Sequence, residues 1–230
     1  MIKAFIFDLG NTLIEYPAPE KLKENCSKFA NDMKIDMELL DKMHEFLMED
    51  RRAGFNTFKE ATVERALSRA LKEGGHQFAE ARILEMMEEI YHFGFGRFAY
   101  PVDGAVQLME FLEKRGIKTG IVSNTPFPGS FFKKDLEKFG LLHYFQTFVW
   151  SSEFGKRKPS PDIFKKALND LGVSPSEAVY VGDKLDRDVA GSRGVGMQSI
   201  WFDRKGDGKN HNGYRILALS EILSLEKLFI

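Results

Sequence analysis

The chain has 230 residues, 43% of them hydrophobic and 29% charged, with a formal net charge of -1. That length holds one large domain or two small ones, with ample apolar material for a core. The balanced charge supplies no basic field for nucleic acid, Lys209, His211 and Arg215 being too few and too scattered to change this, and the single Cys26 excludes an intrachain disulfide framework.

Residues 2–7 read as a buried strand that ends on Asp8 and turns at Gly10-Asn11. From Pro17 to about Phe98 the pattern becomes helical. Leu22, Phe29 and Met33 recur at helical spacing, as do Leu39, Leu40, Met43, Phe46 and Leu47. Val63, Ala66, Leu67, Ala70 and Leu71 form a further stripe, and Ile83, Met86, Met87 and Ile90 another, with breaks at Gly54 and Gly74-Gly75. This block predicts about four helices and no strand. The aromatics Phe55, Phe58, Phe78, Phe93, Phe95 and Phe98 are expected to pack between those helices.

After Pro101 strands and helices alternate. Val106–Leu112 predicts a helix closed by Arg115-Gly116, Lys118–Val122 a strand, and Phe131–Phe139 a helix ended by Gly140. Phe145–Trp150 predicts a strand and Ile163–Leu171 a helix capped by Gly172. Ser174-Pro175-Ser176-Glu177 carries a helix-start signature. Val179–Val181 and Gln198–Phe202 predict two more strands. Such alternation implies parallel crossovers. The expected fold is α/β, a doubly wound parallel sheet of Rossmann-like type. Its core spans residues 1–15 and 99–230, interrupted by an α-helical cap over residues 16–98.

Four strand ends carry groups with chemistry: Asp8, Ser123-Asn124, Lys158-Pro159 and Gly182-Asp183 with Asp188 beyond it. In a doubly wound sheet such ends converge on one crevice. A carboxylate cluster repels itself unless a cation joins it, and hard oxygen donors suit magnesium. A nucleophilic aspartate, a hydroxyl, a lysine and an acidic metal pair are what phosphoryl transfer through an aspartyl-phosphate requires. Taken singly, each has a plainer reading: Asp183 and Asp188 as acids favoured at a helix N-terminus, Lys158 as a solvated neighbour of Lys156 and Arg157, Ser123 as a turn residue.

The ordered set resembles the haloacid dehalogenase-like (HAD) hydrolases, in the branch with a helical cap after the first strand. The residues that carry this are Asp8-Leu9-Gly10-Asn11-Thr12, Ile121-Val122-Ser123-Asn124-Thr125, Lys156-Arg157-Lys158-Pro159 and Gly182-Asp183-Lys184-Leu185-Asp186-Arg187-Asp188. The resemblance covers almost the whole chain. It implies that Asp8 is the nucleophile and a magnesium (Mg2+) ligand, with Asp183, Asp188 and the Gly10 carbonyl as further ligands, Asp188 directly or through water. It implies that Ser123 and the Asn124 backbone hold a phosphoryl group and that Lys158, ahead of Lys156, pairs with both that group and Asp8.

One position departs from the family. Its phosphatases carry a second aspartate two residues after the nucleophile, as acid and base; here that residue is Gly10. The family's dehalogenases also lack it. The expected activity is magnesium-dependent hydrolysis of a small phosphorylated metabolite, with a 2-haloacid dehalogenase or a catalytically weak binding protein as alternatives. Glu15 is one residue that stands near enough in sequence to replace the acid. Arg51 and Arg52, at the Gly54 break, read equally as an anion contact or a solvated helix end, and the histidines show no ligand spacing. The apolar stretch Ala4–Phe7 is too short for a signal peptide and no run is long enough for a membrane span. The expected setting is cytoplasmic, without nucleic-acid or membrane partners, and the oligomeric state stays open.

Overall fold

Buried parallel strands require continuous apolar runs, and this chain supplies them in order. The computed structural model describes residues 1–18, 21–29, 32, 35–206, 208 and 212–225. Met33, Lys209 and His211 lie outside the described residues. The strands are β1 (Ala4–Phe7), β2 (Ile14–Glu15), β3 (Tyr100–Pro101), β4 (Lys118–Ser123), β5 (Thr147–Trp150), β6 (Ala178–Gly182), β7 (Gln198–Phe202) and β8 (Tyr214–Ile216). The helices are α1 (Leu22–Ser27), α2 (Met37–Ala53), α3 (Val63–Glu73), α4 (Glu80–Gly94), α5 (Ala105–Lys114), α6 (Gly129–Lys138), α7 (Ser151–Phe154), α8 (Pro161–Leu171) and α9 (Ala190–Gly194).

Six strands form one sheet in the order β5-β4-β1-β6-β7-β8, every neighbouring pair parallel. Side chains alternate between its faces. Phe5, Phe7, Val179 and Val181 join a cluster with Leu108, Leu112 and Leu136 of α5 and α6. Ala4, Ile6, Ala178 and Tyr180 face Ile163, Phe164, Ala167 and Leu171 of α8. From β1 the chain moves outward through β4 to β5, then returns across β1 to β6 and continues to β7 and β8. The direction reverses between β1 and β6, so the ligand crevice belongs at their carboxyl ends. Those ends carry Asp8 and Asp183.

Helices α1–α4 lie between β2 and β3 and bury an apolar cluster of their own, centred on Leu40, Met43, Leu67, Leu71, Met87 and Ile90. Asp36 caps α2 through the Glu38 and Leu39 amides, Thr62 caps α3 through that of Arg65, and Gly54 and Gly74 close these helices. The chain leaves and re-enters the sheet through an antiparallel ladder that pairs Ile14 with Pro101 and Glu15 with Tyr100. Phe127 and Phe131 enter the helical cluster from the sheet side.

Several expectations change. The sheet gains β8, a strand of three residues at the edge. The Ser174–Glu177 signature caps only one short turn, Pro175–Glu177, because β6 begins at the next residue. Helix α1 ends at Ser27, short of Phe29. Phe93 and Phe95 do pack against the helical cluster, and Phe98 meets Phe29. Phe55, Phe58 and Phe78 instead stand exposed, at 68%, 36% and 44%. Among the described residues no helix is long and apolar enough to cross a membrane.

Candidate active site

Strand β1 delivers Asp8 into the crevice, where its amide donates to the Val181 carbonyl of β6 at 2.9 Å. Lys158 reaches it from a residue 150 positions away. That lysine is 2% exposed, and its ammonium sits 2.7 Å from Asp8 Oδ1, 2.7 Å from Asp188 Oδ1 and 2.7 Å from the Tyr180 hydroxyl. An ammonium has three N–H donors, so all three are engaged. Burial lowers the Lys158 pKa, but Asp188 and Asp8 more than reverse this and hold it above its ordinary value. Lys156 is exposed and pairs with Asp162 at 2.5 Å. Of the two lysines, only Lys158 enters the cluster.

The acidic side comes from β6 and the turn after it. Asp188 is buried, one oxygen on Lys158 and the other accepting the Lys184 amide at 2.9 Å. Gly182 makes room for it. A Cβ on Gly182 would lie 2.6 Å from the Asp188 carboxylate, so the approach requires glycine. Asp183 pairs with the Lys184 ammonium at 2.6 Å, and its backbone carbonyl accepts the Trp201 indole N–H at 3.1 Å. Oxygens of Asp8, Asp183 and Asp188 all lie within 4.8 Å of one another. Burial first, then Asp188 and Asp183, push the Asp8 carboxyl up to about 7 against the pull of Lys158. Burial and Asp188 also raise Asp183. Three crowded carboxylates facing one buried ammonium are a donor set that fits a hard divalent cation.

Ser123 is buried at the end of β4. The Asn124 side chain does something the sequence did not suggest. Its Nδ2 donates to the Lys158 carbonyl at 3.0 Å and its Oδ1 accepts the Lys158 amide at 2.7 Å. This two-way clamp sets the backbone that carries the lysine.

Gly10 leaves open space after Asp8: among the described residues a Cβ there meets only Tyr16 Cδ2, at 3.8 Å. Glu15 does not fill the gap. Its carboxylate is held by the Tyr100 hydroxyl and the Arg204 guanidinium, which outweigh burial and keep its pKa below the ordinary range. An acid so held stays ionised and has no proton to give. Tyr16, whose ring edges Gly10, donates its hydroxyl to Asp135 at 3.0 Å, an oxygen that also accepts from Tyr91 at 2.5 Å.

Sequence reasoning also missed a strap. Arg157 N–H donates to the Phe58 carbonyl at 2.8 Å, Glu60 N–H to Gly155 at 3.1 Å and Val63 N–H to Pro126 at 2.9 Å. The buried Glu60 carboxyl accepts from Ser151 Oγ at 2.6 Å, and the same Oγ accepts the Thr125 amide at 2.8 Å. Burial raises the Glu60 pKa, opposed by Ser151, Arg51 and Arg157. Residues 58–63 are thereby fastened to both loops, the one after Ser123 and the one before Lys158. Arg51 contributes charge beside Glu60, and Arg52 is exposed at the end of α2.

Comparison with known proteins agrees with this geometry. The chain is 31% identical over 221 residues to the glyceraldehyde 3-phosphate phosphatase of Methanopyrus kandleri, covering 89% of this chain and 85% of that protein. It is 30% identical to the ribulose-1,5-bisphosphate 5-phosphatase of Halopiger xanaduensis, covering 88% and 85%. The crystal structure of a 2-haloacid dehalogenase from Pseudomonas syringae pv. Tomato shares the fold, with a TM-score of 0.73, 24% identity and full coverage of both chains. The family model of the haloacid dehalogenase-like hydrolases matches residues 2–196. With that match, and with Asp8, Lys158, Asp183 and Asp188 gathered at the switch point of the sheet, the chain belongs to the haloacid dehalogenase-like hydrolase family.

Proposed function

We propose that this hydrolase is a magnesium-dependent phosphomonoesterase that acts on a small phosphorylated metabolite through an aspartyl-phosphate. The observation that carries the reading is the buried Lys158 between Asp8 and Asp188, with Asp183 completing the acidic group. The phosphatase names of the M. kandleri and H. xanaduensis relatives support it.

In this reading Asp8 is the nucleophile. Its carboxylate oxygen bonds to phosphorus as the bond to the leaving oxygen breaks. Water then attacks phosphorus, the acyl-phosphate P–O bond breaks, and phosphate and free Asp8 are released. Ser123 and the Asn124 amide hold the phosphoryl oxygens, and Lys158 neutralises their charge. Asp8, Asp183 and the Gly10 carbonyl would hold the magnesium, with Asp188 directly or through water. The ion would supply positive charge against the phosphoryl oxygens. Residues 1–15 and 99–230 form the catalytic core in this proposal, and the helical cap of 16–98 selects the substrate.

Gly10 favours a second reading, because the family's dehalogenases also lack an acid there. Dehalogenation needs no metal, however, and leaves the clustering of Asp183 and Asp188 beside Asp8 without purpose. The test is a release assay across sugar phosphates, nucleotides, acyl phosphates and 2-haloacids, with magnesium and after exhaustive EDTA treatment. Phosphate release that requires the metal is expected. Halide release that survives EDTA overturns the proposal.

A further inference from the structure

Tyr180 lies within β6, fully buried, on the sheet face shared with Ala4, Ile6, Val122, Ile163 and Phe164. Packing alone requires only an apolar ring there. The ring meets Phe164 edge-on, with centroids 5.2 Å apart and planes at 75°. A phenylalanine makes that contact equally well. The hydroxyl therefore needs a separate account.

Its oxygen lies 2.7 Å from Lys158 Nζ and 2.8 Å from the Val122 carbonyl oxygen, with Asp188 Oδ1 farther away at 3.5 Å. An ammonium can only donate, and a phenol has a single proton. Toward Lys158 the phenol must accept, so its proton goes to Val122. The direction of the chain is thus fixed: Lys158 donates to Tyr180, and Tyr180 donates to the residue just before Ser123. The other two ammonium protons face Asp8 and Asp188 at 2.7 Å each.

We infer that Tyr180 is a positioning residue for Lys158. Its hydroxyl anchors one N–H from beneath the site and ties the ammonium to the end of β4. The remaining two donors are then held on the side of Asp8, where the phosphoryl oxygens arrive. A neutral phenol does this without cancelling the charge that Lys158 brings to those oxygens, as a further carboxylate would. The two-way Asn124 clamp fixes the lysine's backbone and Tyr180 fixes its tip. The inference rests on the reading of Lys158 as the group that pairs with the phosphoryl.

The experiment compares Tyr180→Phe with Phe164→Leu, which loosens the same packing without touching Lys158. Two quantities are read: steady-state kinetics with magnesium on the best substrate of the release assay, and solvent exchange of the Lys158 ammonium protons by nitrogen-15 NMR. Loss of a hydrogen bond to a charged group should lower kcat about 10- to 100-fold in Tyr180→Phe, with KM changed by no more than about threefold. Ammonium exchange should speed up in that variant alone. Phe164→Leu should lower the melting temperature and leave kcat and exchange near wild type. A Tyr180→Phe protein with wild-type kcat and exchange overturns the inference, and so does an equal change of both in Phe164→Leu. If the wild type releases no phosphate from any substrate, the phosphatase reading falls, and ammonium exchange alone decides for or against Tyr180.

Discussion

Restoring an aspartate at residue 10 is the most informative perturbation of this site. In the proposed reaction the leaving oxygen must acquire a proton, and neither Glu15 nor Tyr16 can give one, so in the wild type it comes from water. Glu15 is held ionised by Tyr100 and Arg204, and Tyr16 donates to Asp135. The backbone at Gly10 is not left-handed, and a Cβ there makes ordinary contact with Tyr16 at 3.8 Å, so neither the backbone nor the first side-chain atom opposes Gly10→Asp. A positioned general acid is worth ~10²–10⁴-fold, which is about 2.7–5.4 kcal/mol at about 1.36 kcal/mol per tenfold. That gain applies where the leaving group is a poor one. Alkyl phosphates should therefore be accelerated in Gly10→Asp by much of this range, whereas acyl, aryl and anomeric phosphates change little. The assay is log kcat/KM against leaving-group pKa for both proteins. The wild type should give the steeper line. Equal slopes would show that an acid is already present elsewhere and refute the reasoning from Gly10.

Four further outcomes are expected. Asp8→Asn should abolish phosphate release yet melt near the wild-type temperature, since a buried carboxyl raised to about 7 gains little from its charge; activity within a few-fold of wild type in a folded variant would reject Asp8 as nucleophile. Magnesium at about 100 times its Kd should stabilise the fold by about 2.7 kcal/mol in thermal melts, and EDTA should remove both this gain and turnover. Asp183→Ala should lose the gain completely, whereas Asp188→Ala should keep part of it and lose basal stability because Lys158 is left with an unpaired donor. The Glu60 carboxyl is raised by burial above 4.5, so its contribution to stability is complete below 4.5 and is lost as pH rises through the raised value. Glu60→Gln, which never ionises, should flatten that part of the melting curve against pH; a wild-type slope in the variant would refute the assignment.

How far the sequence carried this reading depended on the kind of signal. Strands β1, β4 and β6 are covered on both faces, and such strands must be apolar throughout, so a polar residue at their ends is conspicuous. Asp8, Ser123 and Asp183 could be found in that way. Lys158 was legible only through its neighbour Pro159, since composition cannot separate it from the exposed Lys156. Strand β8 escaped notice because it has three residues at the edge, Tyr214, Arg215 and Ile216, and only the last is buried. Tyr180 read as one more apolar strand residue, because a pattern records burial and not the atom to which a hydroxyl points. The same holds for Asn124, whose use as a clamp depends on a partner 34 residues away. Phe58 is exposed although it opens the strap, since its part in the strap is played by its backbone carbonyl.

The electrostatics of the site explain why its parts come from such distant places. Asp8, Asp183 and Asp188 are crowded in a buried setting, where burial first and mutual repulsion after it raise the Asp8 and Asp183 carboxyls. No single helix or turn would assemble them, because the local cost is not met by any local contact. Three crossovers of a buried sheet can, since the apolar burial of β1, β4 and β6 is gained whether or not the strand ends are comfortable. Lys158 then offsets part of the repulsion from within, held by Tyr180, Asn124 and two carboxylates. Lys158 and the half-exposed Lys184, which pairs with Asp183, bring two positive charges to the three carboxylates, so the ionised cluster keeps one negative charge over. That residual charge is the property a divalent cation would satisfy and an uncharged ligand would not. It makes metal affinity, rather than any single rate, the quantity through which substitutions at Asp183 and Asp188 should first be read.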